Sequence, residues 1–167
     1  MDRAAFYAMV RNRPFSGSLN QGQVDGMEAL LDKGLAQNTD LRWIAYVLGT
    51  TFHETARTMR PIEEYGRGAG RPYGVVDPET GKAYYGRGFV QLTWKQNYAA
   101  MGERLGIDLV PNPELALDLA IATDIIYDGM SEGSFTGGRF SLPVFFNSGR
   151  SDWYNARRIV NGLDRAQ

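Results

Sequence analysis

The sequence predicts a mainly α-helical fold in one domain, arranged around a single glycine-rich loop. Three observations carry that expectation. Apolar residues recur at helical spacing over most of the chain. Residues 61–88 lose that period and hold seven glycines and three prolines. The length, 167 residues, suits one domain spanning 1–167, with residues 1–36 as an N-terminal helical pair and 37–162 as the core.

The elements follow in order. Over residues 2–11, Asp2 is placed to cap, and Phe6, Met9 and Val10 share a face. Over 20–33, Val24, Met27, Leu30 and Leu31 form a stripe, and Gly34 is expected to stop the helix. Asn38 or Thr39 then opens a third helix. Ile44, Val47, Leu48, Thr51 and Phe52 line one side of it, while Trp43 and Tyr46 cover much of the other. A helix apolar on both sides belongs at the centre of a fold. Pro61 disfavours helix at Arg60, which predicts an end near residues 57–59.

Inside the loop, strand pairing is expected around Lys82 to Tyr85, after the Glu79-Thr80-Gly81 turn. Helical spacing resumes near residue 90 and runs through Trp94, Asn97, Tyr98 and Met101 to Gly106. Asn112-Pro113 predicts the start of a helix reaching about Met130. Ser151 or Asp152 is placed to cap a last helix that Asn161-Gly162 ends.

Composition narrows the chemistry. Lys and Arg number 18 against 19 Asp and Glu, for a net charge of −1. That balance gives no general grip on nucleic acid or an anionic membrane. There is no cysteine and only one histidine, His53. A disulfide framework, a thiol nucleophile, a Cys-ligated zinc and a multi-histidine zinc site are thereby excluded. No G-x-S-x-G is present, so a serine hydrolase of that type is not expected. The chemistry falls to carboxylates, hydroxyls and amides, with no cofactor and no metal expected. The N-terminus Met1-Asp2-Arg3-Ala4-Ala5-Phe6 does not read as a secretory signal. The longest strongly apolar stretch, near Trp43 to Leu48, is far short of the ~18 residues a membrane span needs, so no membrane insertion is expected.

Two constellations could carry a reaction. The first is His53-Glu54-Thr55 with Glu63-Glu64. Glu54 falls near the C-terminal end of the third helix, where the helix dipole and partial burial both favour a protonated carboxyl. Glu63 and Glu64 lie beyond Pro61, where a carboxylate is better solvated. Two carboxyls in unlike settings can divide acid and base roles. The second is Tyr84-Tyr85-Gly86-Arg87-Gly88-Phe89-Val90-Gln91-Leu92-Thr93-Trp94-Lys95-Gln96-Asn97-Tyr98. Gln91, Thr93 and Asn97 are neutral groups suited to sugar hydroxyls and acetamido groups. Tyr and Trp offer flat faces for pyranose rings.

Together, His53-Glu54-Thr55, Pro61-Ile62-Glu63-Glu64 and the run from Tyr84 to Thr93 resemble glycoside hydrolase family 19. The resemblance covers roughly residues 40–162 and is nearest the bacteriophage endolysin branch. It implies a two-lobed, lysozyme-like helical fold, with the glycine-rich loop, and a short β-hairpin within it, lining the cleft. It implies an inverting hydrolase of peptidoglycan, acting between N-acetylmuramic acid and N-acetylglucosamine, with chitin as the alternative substrate. A glycan-binding module without activity is a further alternative.

Position by position, the resemblance makes Glu54 the general acid and Glu64 the base, with Glu63 its rival. Thr93 matches the residue that helps hold the attacking water. Tyr85, Arg87, Gln91, Trp94, Asn97 and Asn161 fall among substrate-binding positions. Phe89 stands where chitinases commonly carry proline, and Gln96 where many carry a sugar-contacting tyrosine. The family usually continues past Asn-Gly with a further helix; with the sequence reaching Gln167, the expectation is that this part is dispensable here or that the chain is shortened. The expected partner is the glycan strand of peptidoglycan. The expected life history is synthesis in a host cytoplasm without a signal peptide, as a monomer, followed by release to the cell wall.

Overall fold

The computed structural model describes residues 1–161. The expected helix stop at Gly162 and the last residue of the expected core lie outside the described residues. The fold is mainly helical, with two short antiparallel ladders.

Helix α1 (Arg3–Asn12) starts where Asp2 accepts the Ala5 amide at 3.0 Å. Helix α2 (Gln21–Ala36) starts in a capping box: Asn20 and Gln23 each accept the other's backbone N–H through a side-chain oxygen. Gly34 does not stop α2. It lies buried inside the helix, where a Cβ would come within 2.5 Å of the Tyr127 hydroxyl and 2.7 Å of Ile44 Cγ1. The residue that reads as a breaker is a point of close helix packing.

Helix α3 (Leu41–Glu54) is capped by Asp40, which accepts the Arg42 amide at 2.8 Å. It ends at Glu54, earlier than Pro61 requires. Thr55 closes it by sending both its amide, at 3.0 Å, and its hydroxyl, at 2.7 Å, to the Thr51 carbonyl. Ala56, Arg57 and Met59 then take left-handed φ angles of 49°, 70° and 54°. Nor is α3 the central helix. Ile44, Val47 and Thr51 are buried, but Leu41, Ala45, Gly49 and His53 form an exposed strip at four-residue spacing.

Strand β1 (Ile62–Glu63) pairs antiparallel with β2 (Arg87–Gly88), Ile62 opposite Gly88 and Glu63 opposite Arg87. No strand forms at Lys82 to Tyr85. Residues 77–82 close on themselves instead: the Asp77 amide donates to the Lys82 carbonyl, and the Gly81 amide to the Asp77 carbonyl, both at 2.8 Å. Pairing with β1 therefore moves to the next residues along.

Helix α4 (Lys95–Leu105) begins about five residues later than its apolar spacing suggests, and ends as expected at left-handed Gly106. Arg87 and Leu92 exchange backbone hydrogen bonds, which hold the intervening residues in a tight bridge rather than a helix. The single helix expected from Asn112 is two elements. A 3₁₀ turn covers Pro113–Leu117, and extended Asp118 then caps α5 (Leu119–Glu132) by accepting the Ala120 and Ile121 amides. Helix α5 takes the centre, with Ala122, Thr123, Ile125, Ile126, Tyr127, Gly129 and Met130 buried. The Tyr127 hydroxyl donates to the Leu30 carbonyl at 2.8 Å, tying α5 to α2.

The chain closes through α6 (Leu142–Phe145) and a hairpin of β3 (Phe146–Asn147) and β4 (Arg150–Ser151). Where a last α-helix was expected there is a 3₁₀ turn at Asn155–Ile159, with Asp152 accepting the Asn155 amide. No helix among the described residues is long and apolar enough to cross a membrane.

Candidate active site

Glu54 is the last residue of α3, and its side chain is 16% exposed. The Asn161 side-chain amide donates to Glu54 Oε1 at 2.6 Å. Arg157 Nη1 lies 3.8 Å from that oxygen and His53 Nε2 lies 3.9 Å from it. His53 and Arg157 are themselves 3.3 Å apart, so His53 is a neighbour in this cluster rather than an isolated group. These three contacts all fall on Oε1. Oε2 accepts no hydrogen bond from the described residues.

The β1–β2 ladder places the other two carboxyls. Successive residues of a strand point to opposite faces. Glu63 accepts the Tyr85 hydroxyl at 2.6 Å and pairs with Arg67 at 2.8 Å. The Tyr85 hydrogen bond, with Arg67 and Arg87 nearby, holds its carboxyl below the ordinary glutamate range. Glu64 accepts the Tyr73 hydroxyl on Oε1 and the Gly86 amide on Oε2, both at 2.9 Å. Its own amide donates to the Gly86 carbonyl at 2.7 Å. Gly86 is required here, because a Cβ would sit 2.7 Å from Gln91 Oε1 and 3.2 Å from Glu64 Cβ.

The motif after β2 divides. Tyr85 and Arg87 turn inward, away from the sugar-contacting roles expected of them. The Arg87 guanidinium carbon sits 3.6 Å over the Tyr85 ring, and its Nη1 donates to the carbonyls of Ala83 and Tyr85 and the Tyr98 hydroxyl. Its Nε is buried without a hydrogen-bond partner, 3.8 Å from Glu63. This is a support for the ladder. Gln91, Thr93 and Asn97 instead line one pocket of about 170 Å³, with Arg104, Phe135 and Val160. Val160 precedes Asn161, so the pocket borders the segment that holds Glu54. Gln91 adopts a left-handed φ of 55° and donates to the Ile62 and Gly88 carbonyls, spanning both strands. Trp94, 40% exposed, meets the Tyr73 ring edge-on at 5.4 Å, and Tyr73 in turn holds Glu64.

Sequence reading missed Tyr73 and Arg157. Tyr73 lies in the aperiodic loop, where spacing carries no signal. Arg157 lies in a turn read as an ordinary helix. Among the described residues, no cluster of three or more His, Cys, Asp or Glu could hold a metal ion.

The family model described as Chitinase class I, of glycoside hydrolase family 19, matches residues 32–129, more than half of the chain. The chain belongs to glycoside hydrolase family 19. The family 19 segment includes Glu54, Glu63, Glu64, Gln91, Thr93 and Asn97. Chitinase 8 of Oryza sativa subsp. japonica is 36% identical over 85 residues, which cover 51% of this chain and 31% of that protein. Inactive chitinase-like protein 1 of Hevea brasiliensis is 52% identical over 44 residues, covering 26% of this chain and 12% of that protein. The chain thus spans less than a third of either relative. Chitinase C of Streptomyces griseus shares 31% identity, over 79% of this chain and 55% of that structure, with a TM-score of 0.46.

Proposed function

We propose that this family 19 chain is an endolysin. It would hydrolyse the β-1,4 bond between N-acetylmuramic acid and N-acetylglucosamine in peptidoglycan, with inversion. One observation carries the hydrolytic reading: the two carboxyls are held in unlike ways. Glu54 has one oxygen fixed by Asn161 and Arg157 and the other without a hydrogen bond from the described residues. Glu64 has both oxygens fixed by neutral donors, each keeping a second lone pair.

In the reaction, Glu54 Oε2 protonates the leaving glycosidic oxygen. Asn161 and Arg157 stabilise the carboxylate that results. Glu64 takes a proton from a water, which attacks the anomeric carbon from the opposite face. Thr93 orients that water, and Gln91 and Asn97 receive polar groups of the sugar. Glu64 is preferred to its rival Glu63 as base because the hydroxyl and guanidinium partners of Glu63 already stabilise its charge. The resemblance of the Tyr84-to-Thr93 run to phage endolysins favours peptidoglycan and a site of action at the bacterial wall.

The chitinases among the relatives favour a second reading, cleavage of N-acetylglucosamine polymers. The inactive Hevea relative keeps a third in view, glycan binding without cleavage. Mass spectrometry of peptidoglycan treated with wild type and Glu54→Gln separates them. The expected result is muropeptides with new reducing sugar ends from wild type and none from the variant. Cleavage of chitin oligomers alone would establish the second reading, and binding without new ends the third.

A further inference from the structure

Beside the Glu54 cluster lies an aromatic surface that none of these roles uses. Trp153 and Tyr154 are each 48% exposed. They immediately precede the 3₁₀ turn that carries Arg157. Trp153 packs against buried Phe146, ring centroids 4.7 Å apart, and against Tyr46 of α3 at 6.2 Å. Tyr46 in turn packs on Phe146 at 5.4 Å. Arg157 follows Tyr154 by three residues, so the turn that begins at this surface also carries the guanidinium.

The surface therefore joins the acid through Arg157, which lies 3.8 Å from Glu54. Tyr46 precedes Glu54 by eight residues on one helix, about 12 Å along its axis. That length suits a few linked pyranoses. Neither the Trp153 indole N–H nor the Tyr154 hydroxyl has a hydrogen-bond partner among the described residues. An indole packed against Phe146 and Tyr46, about half exposed and next to Tyr154, suits a pyranose: C–H groups on the ring face, hydroxyls at the edge.

We propose that Trp153, supported by Phe146 and Tyr46 and flanked by Tyr154, is an outer subsite that stacks an N-acetylated pyranose of the glycan strand. This deepens the hydrolase reading and rests on it. The subsite would engage long strands and leave the shortest ones out of reach. It would add strand affinity remote from the bond being cut.

The test uses the full chain carrying Glu54→Gln, which binds without cutting. Soluble glycan strands from sonicated peptidoglycan, and separately N-acetylglucosamine oligomers, are titrated by calorimetry. Trp153→Ala should weaken binding of the long strands about tenfold, and Trp153→Phe should restore most of it. Far-UV circular dichroism and a melting curve check folding. Should Trp153→Ala fail to fold, Trp153→Gln, which keeps bulk without an aromatic face, takes its place with the same expected loss. Unchanged long-strand affinity in the folded variant overturns the subsite. So does an equal loss of affinity for short and long strands. The hydrolase reading is judged separately, by whether wild type releases new reducing ends; its failure would leave the binding comparison to decide the subsite alone.

Discussion

The Asn161 side-chain amide donates to Glu54 Oε1 at 2.6 Å, joining positions 107 residues apart in the chain. Glu54 is thus oriented from the far end of the described fold, by a residue that follows a short 3₁₀ turn. Asn161→Ala should lower kcat about ten- to a hundredfold, the effect of one lost hydrogen bond to a charged or charging group. KM should move little. Steady-state release of reducing sugar measures both, and an unchanged kcat would remove Asn161 from the mechanism.

Glu54→Gln keeps the Oε1 contact and removes the proton donor of the proposed mechanism. Activity should fall by about 10²–10⁴-fold, the usual contribution of one general acid. The melting temperature should stay near that of wild type.

Glu63 and Glu64 should fail in different ways. Glu64→Gln should abolish most turnover and leave a folded protein. Glu63→Gln should lose stability first, because Tyr85 and Arg87 lose the anion they surround. The folded Glu63 titrates below its unfolded value. Its contribution is therefore present above the ordinary glutamate range and is lost as pH falls through the lower folded value. Urea midpoints measured from neutral to acid pH should drop along that limb in wild type, and less so in Glu63→Gln.

Gly86→Ala should act on the site through sterics. The added methyl meets Gln91 and the Glu64 side chain. A cost of about 1–3 kcal/mol is expected, with loss of turnover, since the same residue supplies the amide to Glu64. Chemical denaturation and activity on cell wall report the two effects.

Gly34→Ala reverses an ordinary rule. In most helix interiors this change stabilises by up to about 1 kcal/mol. Here the methyl enters the contact with Tyr127 and Ile44, and net destabilisation is expected. A raised urea midpoint would show that α2 and α5 yield at that point.

Much of this was legible in the sequence. Asp2 announced α1, and the Val24–Leu31 stripe announced α2. Family 19 motifs marked the residues proposed for the reaction, and Glu54 sits at a helix end, but Thr55 rather than Pro61 ends that helix, before the expected residues 57–59. What escaped depended on contacts distant in sequence. Gly34 reads as a stop because its packing partner lies at Tyr127. Asp118 interrupts an otherwise continuous apolar pattern through its own capping, a choice that periodicity does not encode. Arg87 and Tyr85 read as ligand groups because the stacking that turns them inward is tertiary. Helical spacing likewise hid the turn between Arg87 and Leu92, where a backbone bridge wins over propensity.

The ladder beneath the two neighbouring glutamates is only two residues wide on each strand. Its alternation sends one carboxylate to Tyr85 and two arginines, and the next to Tyr73 and the Gly86 amide. A slip of one residue between Pro61 and Glu64 would exchange those duties. Insertions or deletions in that short span should therefore be far less tolerated than in the glycine-rich loop that follows.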